Sequence, residues 1–230
     1  MFLRKPKVVF YDFDETLVTS KEVYKKSLNL LCEKYGIPKR TDEDMKVINS
    51  SDFKTVLSAL FGEENEEKIH QEYEFGYSIY SNNLCHPISG ALEFIQNINR
   101  QNIQQAIISN KPDHIIAPEV QRLGFEKYIN TIVGSSCGYK KPSKQLLYIA
   151  LDRLNIDKSV IDNGRIWMFG DSIPDVEFAQ NINAEMFFVG NKNILSSELK
   201  NYIKHDWTSF YDIHFLKEDI NNKPRQTIYD

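Results

Sequence analysis

Two pairs of acidic residues stand where their side chains could bind a metal ion. Asp12 and Asp14 follow one apolar run of the sequence, and Asp171 and Asp175 follow another. Carboxylates that leave buried strands repel one another unless a cation or hydrogen-bond donors compensate them. Because every donor is an oxygen, with no His or Cys among them, Mg²⁺ is the favoured ion. Taken alone, residues 12–17 could equally be a turn-forming acidic cluster.

Two further segments carry groups suited to the oxygens of a phosphate. Ser109 and Asn110 follow a third apolar run and open a predicted helix, where hydroxyl, amide and main-chain donors favour anions. Lys141 stands just before another predicted helix and supplies a positive charge. A pair such as Lys140-Lys141 is usually a solvated turn, but a site that gathers carboxylates and a phosphate needs a cation. Together these residues predict a site for a phosphorylated ligand.

Five short runs of β-branched and aromatic residues are predicted as strands, and helical periodicity separates them. This alternation predicts right-handed crossovers and a parallel sheet. The expected fold is therefore α/β and Rossmann-like, with helices on both faces of the sheet in three α/β/α layers. In such sheets ligands bind beyond the carboxyl ends of the strands, which is where the residues above stand. The predicted strands are residues 7–11, 106–108, 131–133, 166–169 and 186–189.

Residues 19–86 carry only helical signals. Three stripes of apolar residues recur there at helical spacing, and the capping-box pattern Thr19-x-x-Glu22 opens the first. Because this segment follows the first strand directly, we expect an all-helical cap over the carboxyl end of that strand. Three tyrosines of the third stripe could line a substrate pocket, but their helical spacing favours packing within the cap: Tyr73, Tyr77 and Tyr80.

The chain is therefore predicted to form two parts. Residues 1–18 and 87–230 make the α/β core, and residues 19–86 make the helical cap. The polar end of the chain, about residues 221–230, is expected to be frayed.

Composition and charge exclude several classes of protein. The chain has 230 residues, 41% of them hydrophobic, which is too apolar for disorder and enough for a full core. The net charge of −4 argues against nucleic acid as a partner. Three widely spaced cysteines indicate a reducing compartment, and no apolar run approaches the roughly 20 residues of a membrane span. We therefore expect a cytoplasmic protein, a monomer or weak dimer.

Read in order, these segments resemble the four motifs of the haloacid dehalogenase superfamily, in the phosphatase branch whose helical cap follows the first motif. Each motif is weak alone, but four in order at the ends of predicted strands are specific. Pro87-x-x-Gly90 and residues 108–112 also resemble phosphoglycolate phosphatase-like members, and the resemblance extends to about Val189. The matching segments are Asp12-x-Asp14-x-Thr16, Ser109, Lys141-Pro142 and Gly170-Asp171-x-x-x-Asp175.

The resemblance implies catalytic roles for three residues. Asp12 would be the nucleophile that forms an aspartyl-phosphate with the substrate. Asp14 would protonate the leaving alcohol and then deprotonate the attacking water. Lys141 would stabilise negative charge on the phosphoryl oxygens, with Ser109 and Asn110 as further phosphate-binding residues.

The resemblance also implies a Mg²⁺ cofactor and a set of ligands for it. The carboxylates of Asp12 and Asp171 and the main-chain carbonyl of Asp14 would bind the ion. Asp175 would hold the metal or its waters from further out. Glu15 departs from the pattern, since many relatives have Gly there, and we expect its side chain to turn away from the substrate. Asn183 also replaces a frequent Gly and should adopt the same left-handed backbone conformation.

The expected function is Mg²⁺-dependent hydrolysis of a small phosphate monoester, the substrate being a small phosphorylated metabolite. The second aspartate, Asp14, favours this reaction, because the resemblance implies that dehalogenases and phosphonate-cleaving relatives lack it. A sugar-phosphate mutase of the same fold remains open, since it keeps all four motifs. A catalytically idle, cap-mediated binding protein is a third alternative.

Overall fold

The computed structural model describes residues 5–48, 53–62, 64, 66–161, 164–203, 205–206 and 210. The predicted frayed tail, about residues 221–230, lies outside the described residues. Within this part of the chain no helix is both long enough and apolar enough to cross a membrane.

A parallel sheet forms the centre of the molecule. Its strands lie in the order β5-β4-β1-β6-β7-β8, and each described pairing between neighbours is parallel. The five predicted strands are confirmed with small shifts at their ends, whereas the two-residue strand β8 was not predicted. The strand bounds are β1 Val8–Tyr11, β4 Gln104–Ile108, β5 Thr131–Val133, β6 Ile166–Gly170, β7 Glu185–Phe188 and β8 His205–Asp206.

Helices cover both faces of the sheet, which confirms the three-layer prediction. Alternate residues of β1 point to opposite faces, Val9 into one apolar cluster and Phe10 into the other, and both are fully buried. The first cluster includes residues of α5 and α6, and the second includes residues of α7 and α8. The bounds of the core helices are α5 Ala91–Arg100, α6 Asp113–Arg122, α7 Gln145–Arg153, α8 Ile173–Asn181 and α9 Ser197–Tyr202.

Among the residues that the structure describes, four helices stand between β1 and α5, in the segment predicted to be helical. Helices α1 and α4 pack on each other, and Gly76 of α4 lies against Leu30 of α1. A two-residue antiparallel pair, β2 Val18–Thr19 with β3 His86–Pro87, brings the two ends of the segment together. The bounds are α1 Lys21–Lys34, α2 Asp42–Ile48, α3 Phe53–Phe61 and α4 Glu66–Leu84.

Candidate active site

Lys141 bridges two buried carboxylates at the carboxyl edge of the sheet. Asp12 follows β1 and donates its amide to the carbonyl of Phe169 on β6, at 2.8 Å. The Lys141 ammonium donates to Asp12 Oδ1 and to Asp175 Oδ1, each at 2.5 Å. All three charged side chains are buried. The sequence-predicted nucleophile and phosphate-binding lysine are thus in direct contact.

Asp175 is brought to this site by the turn between β6 and α8. Its Oδ2 accepts hydrogen bonds from the amide of Ser172, at 3.0 Å, and from the hydroxyl of the same residue. The glycine that ends β6 makes room for it, since a Cβ on Gly170 would lie 2.4 Å from the Asp175 side chain. Both oxygens of Asp175 are therefore hydrogen-bonded within the chain, and one of them holds Lys141.

Three carboxylates of the site could share one cation. One oxygen from each of Asp12, Asp171 and Asp175 lies within 4.8 Å of the others. Burial raises the pKa of Asp12 to about 7, although the charge of Lys141 opposes this rise. Burial also raises the pKa of Asp171 well above its usual range, and the charges of Asp12 and Asp175 raise it further.

The group thus holds three carboxylates beside one ammonium, and both burial and mutual repulsion disfavour the ionised carboxylates. An all-oxygen donor set of this kind fits Mg²⁺ better than a softer ion. Asp12 and Asp171 of the expected ligand set lie in the group. The third carboxylate within reach belongs to Asp175, whereas the Asp14 carboxylate is not part of it.

The Asp14 carboxylate is held by two other side chains. Its Oδ1 accepts a hydrogen bond from the Lys111 ammonium at 2.9 Å, and its Oδ2 accepts one from the Tyr24 hydroxyl at 3.0 Å. Lys111 comes from the loop after β4, and Tyr24 comes from α1. The carboxylate therefore lies between the sheet edge and the helical segment.

Ser109 and Asn110 lie at the end of β4, as predicted. Their side chains accept hydrogen bonds from main-chain amides of the protein itself. The Ser109 hydroxyl accepts from the amide of Lys111 at 3.2 Å, and the side chain is buried. The Asn110 Oδ1 accepts from the amide of Lys141 at 2.7 Å. Asn110 thus ties the end of β4 to Lys141, while a direct bond from either residue to a phosphate stays a prediction.

Glu15 turns toward the start of α1. Its Oε1 accepts hydrogen bonds from the amides of Ser20 and Lys21, at 2.8 and 2.9 Å. Its backbone adopts the left-handed conformation, with φ at 58°, which explains why Gly suits this position. The helix begins at Lys21 with Ser20 at its N-cap, so the predicted Thr19 capping box is wrong: the acceptor comes from Glu15 instead.

A comparison with protein families identifies the chain. The family model of haloacid dehalogenase-like hydrolases matches residues 9–189. The chain belongs to this family. The resemblance predicted from the four motifs is therefore confirmed: the chain is a haloacid dehalogenase-like hydrolase. The match spans the strands and loops that carry the site.

Individual relatives of this hydrolase are distant. It is 24% identical to an N-acetylmuramic acid 6-phosphate phosphatase from Pseudomonas aeruginosa, over 74% of this chain and 76% of that one. It is 22% identical to a phosphoglycolate phosphatase from Agrobacterium fabrum, over 76% of each chain. A solved HAD hydrolase of family IA, variant 3, from Entamoeba histolytica has the same fold: the TM-score is 0.74 at 16% identity, covering 90% of this chain and 95% of that one.

Two buried charged residues of this hydrolase, Lys111 and Glu119, have no role predicted from the sequence. Lys111 stands two residues after Ser109 and pairs with Glu119 of α6, Nζ to Oε2 at 2.8 Å. A signal for Glu119 was present, because it shares a helical face with the buried apolar residues Ile116 and Val120. A charged residue on a buried helical face needs a partner, and here that partner is Lys111.

Proposed function

We propose that this chain is a Mg²⁺-dependent phosphatase that hydrolyses a small phosphate monoester through an aspartyl-phosphate on Asp12. The observation that supports this most is the convergence of Asp12, Lys141, Asp171 and Asp175 at the ends of β1 and β6. One cation and three carboxylates in so small a volume suit a divalent metal and a dianionic phosphate together.

In the first half of the reaction an Asp12 oxygen attacks phosphorus, and the bond from phosphorus to the alcohol oxygen breaks. Lys141 lies 2.5 Å from Asp12 Oδ1, so its ammonium is next to the position that the transferred phosphoryl group takes. There it stabilises negative charge on the phosphoryl oxygens. Asp175 keeps Lys141 in place through the second hydrogen bond.

Asp14 transfers a proton in each half of the reaction. It gives a proton to the departing alcohol, then takes one from the water that attacks the aspartyl-phosphate, which releases phosphate and regenerates Asp12. The position of the Asp14 carboxylate between the sheet edge and helix α1 suits this role, because the alcohol leaves on the side away from Asp12.

The carboxylates of Asp12 and Asp171, with the main-chain carbonyl of Asp14, would hold Mg²⁺. When bound, the ion supplies positive charge that keeps the carboxylates ionised and offsets the charge of the phosphate. Both oxygens of Asp175 already accept hydrogen bonds, from Lys141 and from Ser172. Asp175 would therefore hold water molecules bound to the ion and would not bind the ion directly.

Residues 19–86 would act as a cap over the site. Tyr24 of α1 touches Asp14, and Tyr77 of α4 touches Lys111, so both helices reach the residues beside the leaving group. The relatives named for phosphoglycolate and N-acetylmuramic acid 6-phosphate both act on small phosphate monoesters. We infer a small phosphorylated metabolite as the substrate here, and a cytoplasmic location in keeping with the free thiols of Cys32, Cys85 and Cys137.

The test is phosphate release from a panel of phosphorylated metabolites and from p-nitrophenyl phosphate. We expect turnover with Mg²⁺, none with excess chelator, and none for Asp12→Asn, which keeps the size of the side chain. Substrate binding by the variant should persist in the presence of Mg²⁺. Turnover by Asp12→Asn near that of the wild type would remove Asp12 from its role. Isomer exchange primed by a bisphosphate, without net release of phosphate, would favour a mutase instead.

A further inference from the structure

A buried cluster of charged and hydroxyl groups connects helix α4 to Asp14. The cluster contains Lys111, whose ammonium has three protons to donate. All three have acceptors: Asp14 Oδ1 at 2.9 Å, Glu119 Oε2 at 2.8 Å and the Tyr77 hydroxyl at 2.5 Å. The Lys111 and Glu119 side chains are only 4% and 5% exposed. The ammonium is therefore fixed in one place by the three bonds that it donates.

Glu119 is fixed as firmly from the other side. Its Oε1 accepts hydrogen bonds from the Tyr77 hydroxyl at 3.1 Å and from the Ser81 hydroxyl at 2.6 Å, both on α4. Burial lowers the pKa of Lys111, but the Asp14 and Glu119 carboxylates raise it more, so its pKa lies above the usual value. Lys111 is thus a permanent cation.

Aromatic rings enclose the same ammonium. It lies 4.4 Å from the ring centre of Tyr77, 5.2 Å from that of Phe13 and 5.6 Å from that of Tyr24. Cations are stable at such distances from ring faces, and the rings keep water away from the bond to Asp14. Since Tyr24 also donates to Asp14 Oδ2, both oxygens of that carboxylate are held.

We propose that Lys111 is a positioning residue for Asp14, and that Glu119, with Tyr77 and Ser81 of α4, holds Lys111 in place. This inference rests on the proposed function, because it takes Asp14 as the acid and base of the reaction. Proton transfer requires the Asp14 carboxylate within hydrogen-bond reach of the leaving oxygen, so a small displacement of that carboxylate costs rate. The geometry links the placement of Asp14 to the seating of α4 on the core.

The variant Lys111→Met would leave the buried Glu119 unpaired, which endangers folding. The decisive variant is therefore the double change Lys111→Met with Glu119→Gln. It removes both charges together and keeps an acceptor for Tyr77 and Ser81. A matched control carries the same two changes at the ion pair between α1 and α4 whose side chains are 58% and 21% exposed, Lys34→Met with Glu72→Gln.

A comparison of two substrates of nearly equal shape shows whether Lys111 positions Asp14 or has only a general structural role. Phenyl phosphate has the poorer leaving group and needs the acid, whereas p-nitrophenyl phosphate hardly needs it. With Mg²⁺ present, we expect kcat of the Lys111/Glu119 variant to fall by at least about tenfold on phenyl phosphate and by less than about threefold on p-nitrophenyl phosphate. KM should change little, and the Lys34/Glu72 control should match the wild type on both substrates.

A second comparison uses Asp14→Asn as the background. If Lys111 acts through Asp14, adding the Lys111/Glu119 changes to this variant should cost less than about twofold more in kcat. Equal losses on the two substrates, or a full additional loss in the Asp14→Asn background, would overturn the proposal. If Asp14→Asn itself slows both substrates equally, the assignment of Asp14 fails and this inference fails with it. The remaining outcome is that Asp14→Asn slows phenyl phosphate more than p-nitrophenyl phosphate while the Lys111/Glu119 variant slows both equally. In that case the proposed function stands and the inference alone is refuted.

Discussion

Lys141 shares its ammonium between Asp12 and Asp175, while its neighbour Lys140 is exposed. The two residues have the same chemistry and adjacent positions, so the sequence could not separate them except through the resemblance. The fold separates them because only one side chain of the pair points to the sheet edge. The burial of Lys141 also raises the strength of its bonds to the carboxylates.

The comparison of Lys141→Ala with Lys140→Ala tests this difference. We expect kcat on p-nitrophenyl phosphate to fall at least about a hundredfold for Lys141→Ala, because the positive charge beside the phosphoryl group is lost. Lys140→Ala should stay within about twofold of the wild type, as is usual for an exposed side chain. Circular dichroism should show that both variants are folded. The reverse order of effects would assign the phosphate-binding role to Lys140.

Helix α1 depends on a residue that lies outside it. The prediction of a Thr19 capping box used local spacing, but the first amides of α1 bond to Glu15, five and six residues upstream. The turn before the helix brings Glu15 close to these amides, since the Val18 amide donates to the Phe13 carbonyl at 3.1 Å and the Glu15 amide donates to the Val18 carbonyl at 2.7 Å. Glu15 thus has a structural role at the start of α1, at a position where the resemblance implies Gly.

We expect Glu15→Ala to lower the free energy of unfolding by about 1 kcal/mol, the usual effect of losing a helix cap. Glu22→Ala is the matched control, since Glu22 is also acidic and stands in the first turn of the same helix. Its exposed pairing with Lys25 should contribute less than about 0.5 kcal/mol. Urea-induced unfolding of the two variants measures both values. A loss as small for Glu15→Ala as for Glu22→Ala would mean that Glu15 does not cap α1.

The start of helix α8 meets a local and a long-range requirement with the same residues: it caps the helix and places Asp175 against Lys141. Gly170 and Asp175 belong to a motif that the sequence places at the end of a predicted strand, and α8 begins within it at Ile173. The turn between β6 and α8 closes the start of the helix and also orients Asp175 toward Lys141. Asn183, which follows α8, adopts the expected left-handed conformation with φ at 54°.

The stability of the whole molecule should respond to Mg²⁺ and to pH together. In the metal-free protein the pKa of Asp12 is raised to about 7, so below that pH the residue holds a proton. The stability that comes from a raised pKa is full below the unfolded value of about 4 and is lost as pH rises through the folded value. Protons also compete with Mg²⁺ for the carboxylates, and this competition weakens as pH rises.

Saturating Mg²⁺ should therefore raise Tm more at pH 8 than at pH 6. An ion concentration of 100 times Kd adds about 2.7 kcal/mol, which corresponds to roughly 5–10 °C for a chain of this size. Differential scanning calorimetry measures the shift, with NaCl of equal ionic strength as the reference. Asp171→Asn should shift by no more than about 1 °C at either pH. A larger rise at pH 6, or an equal rise in Asp171→Asn, would contradict a metal site built on Asp12 and Asp171.

The order of strands and helices, the three layers and the edge of the sheet that carries Asp12 and Asp171 could all be read from the sequence. These features follow from apolar periodicity and from the geometry of parallel sheets, both of which are local or general rules. The partners of Lys111 could not be read in this way. Asp14, Tyr77 and Lys111 come from three separate segments, and Asn110 bonds to a residue 31 positions away. Such contacts depend on how distant elements pack, and no periodicity within one segment records which charged groups will share a buried volume.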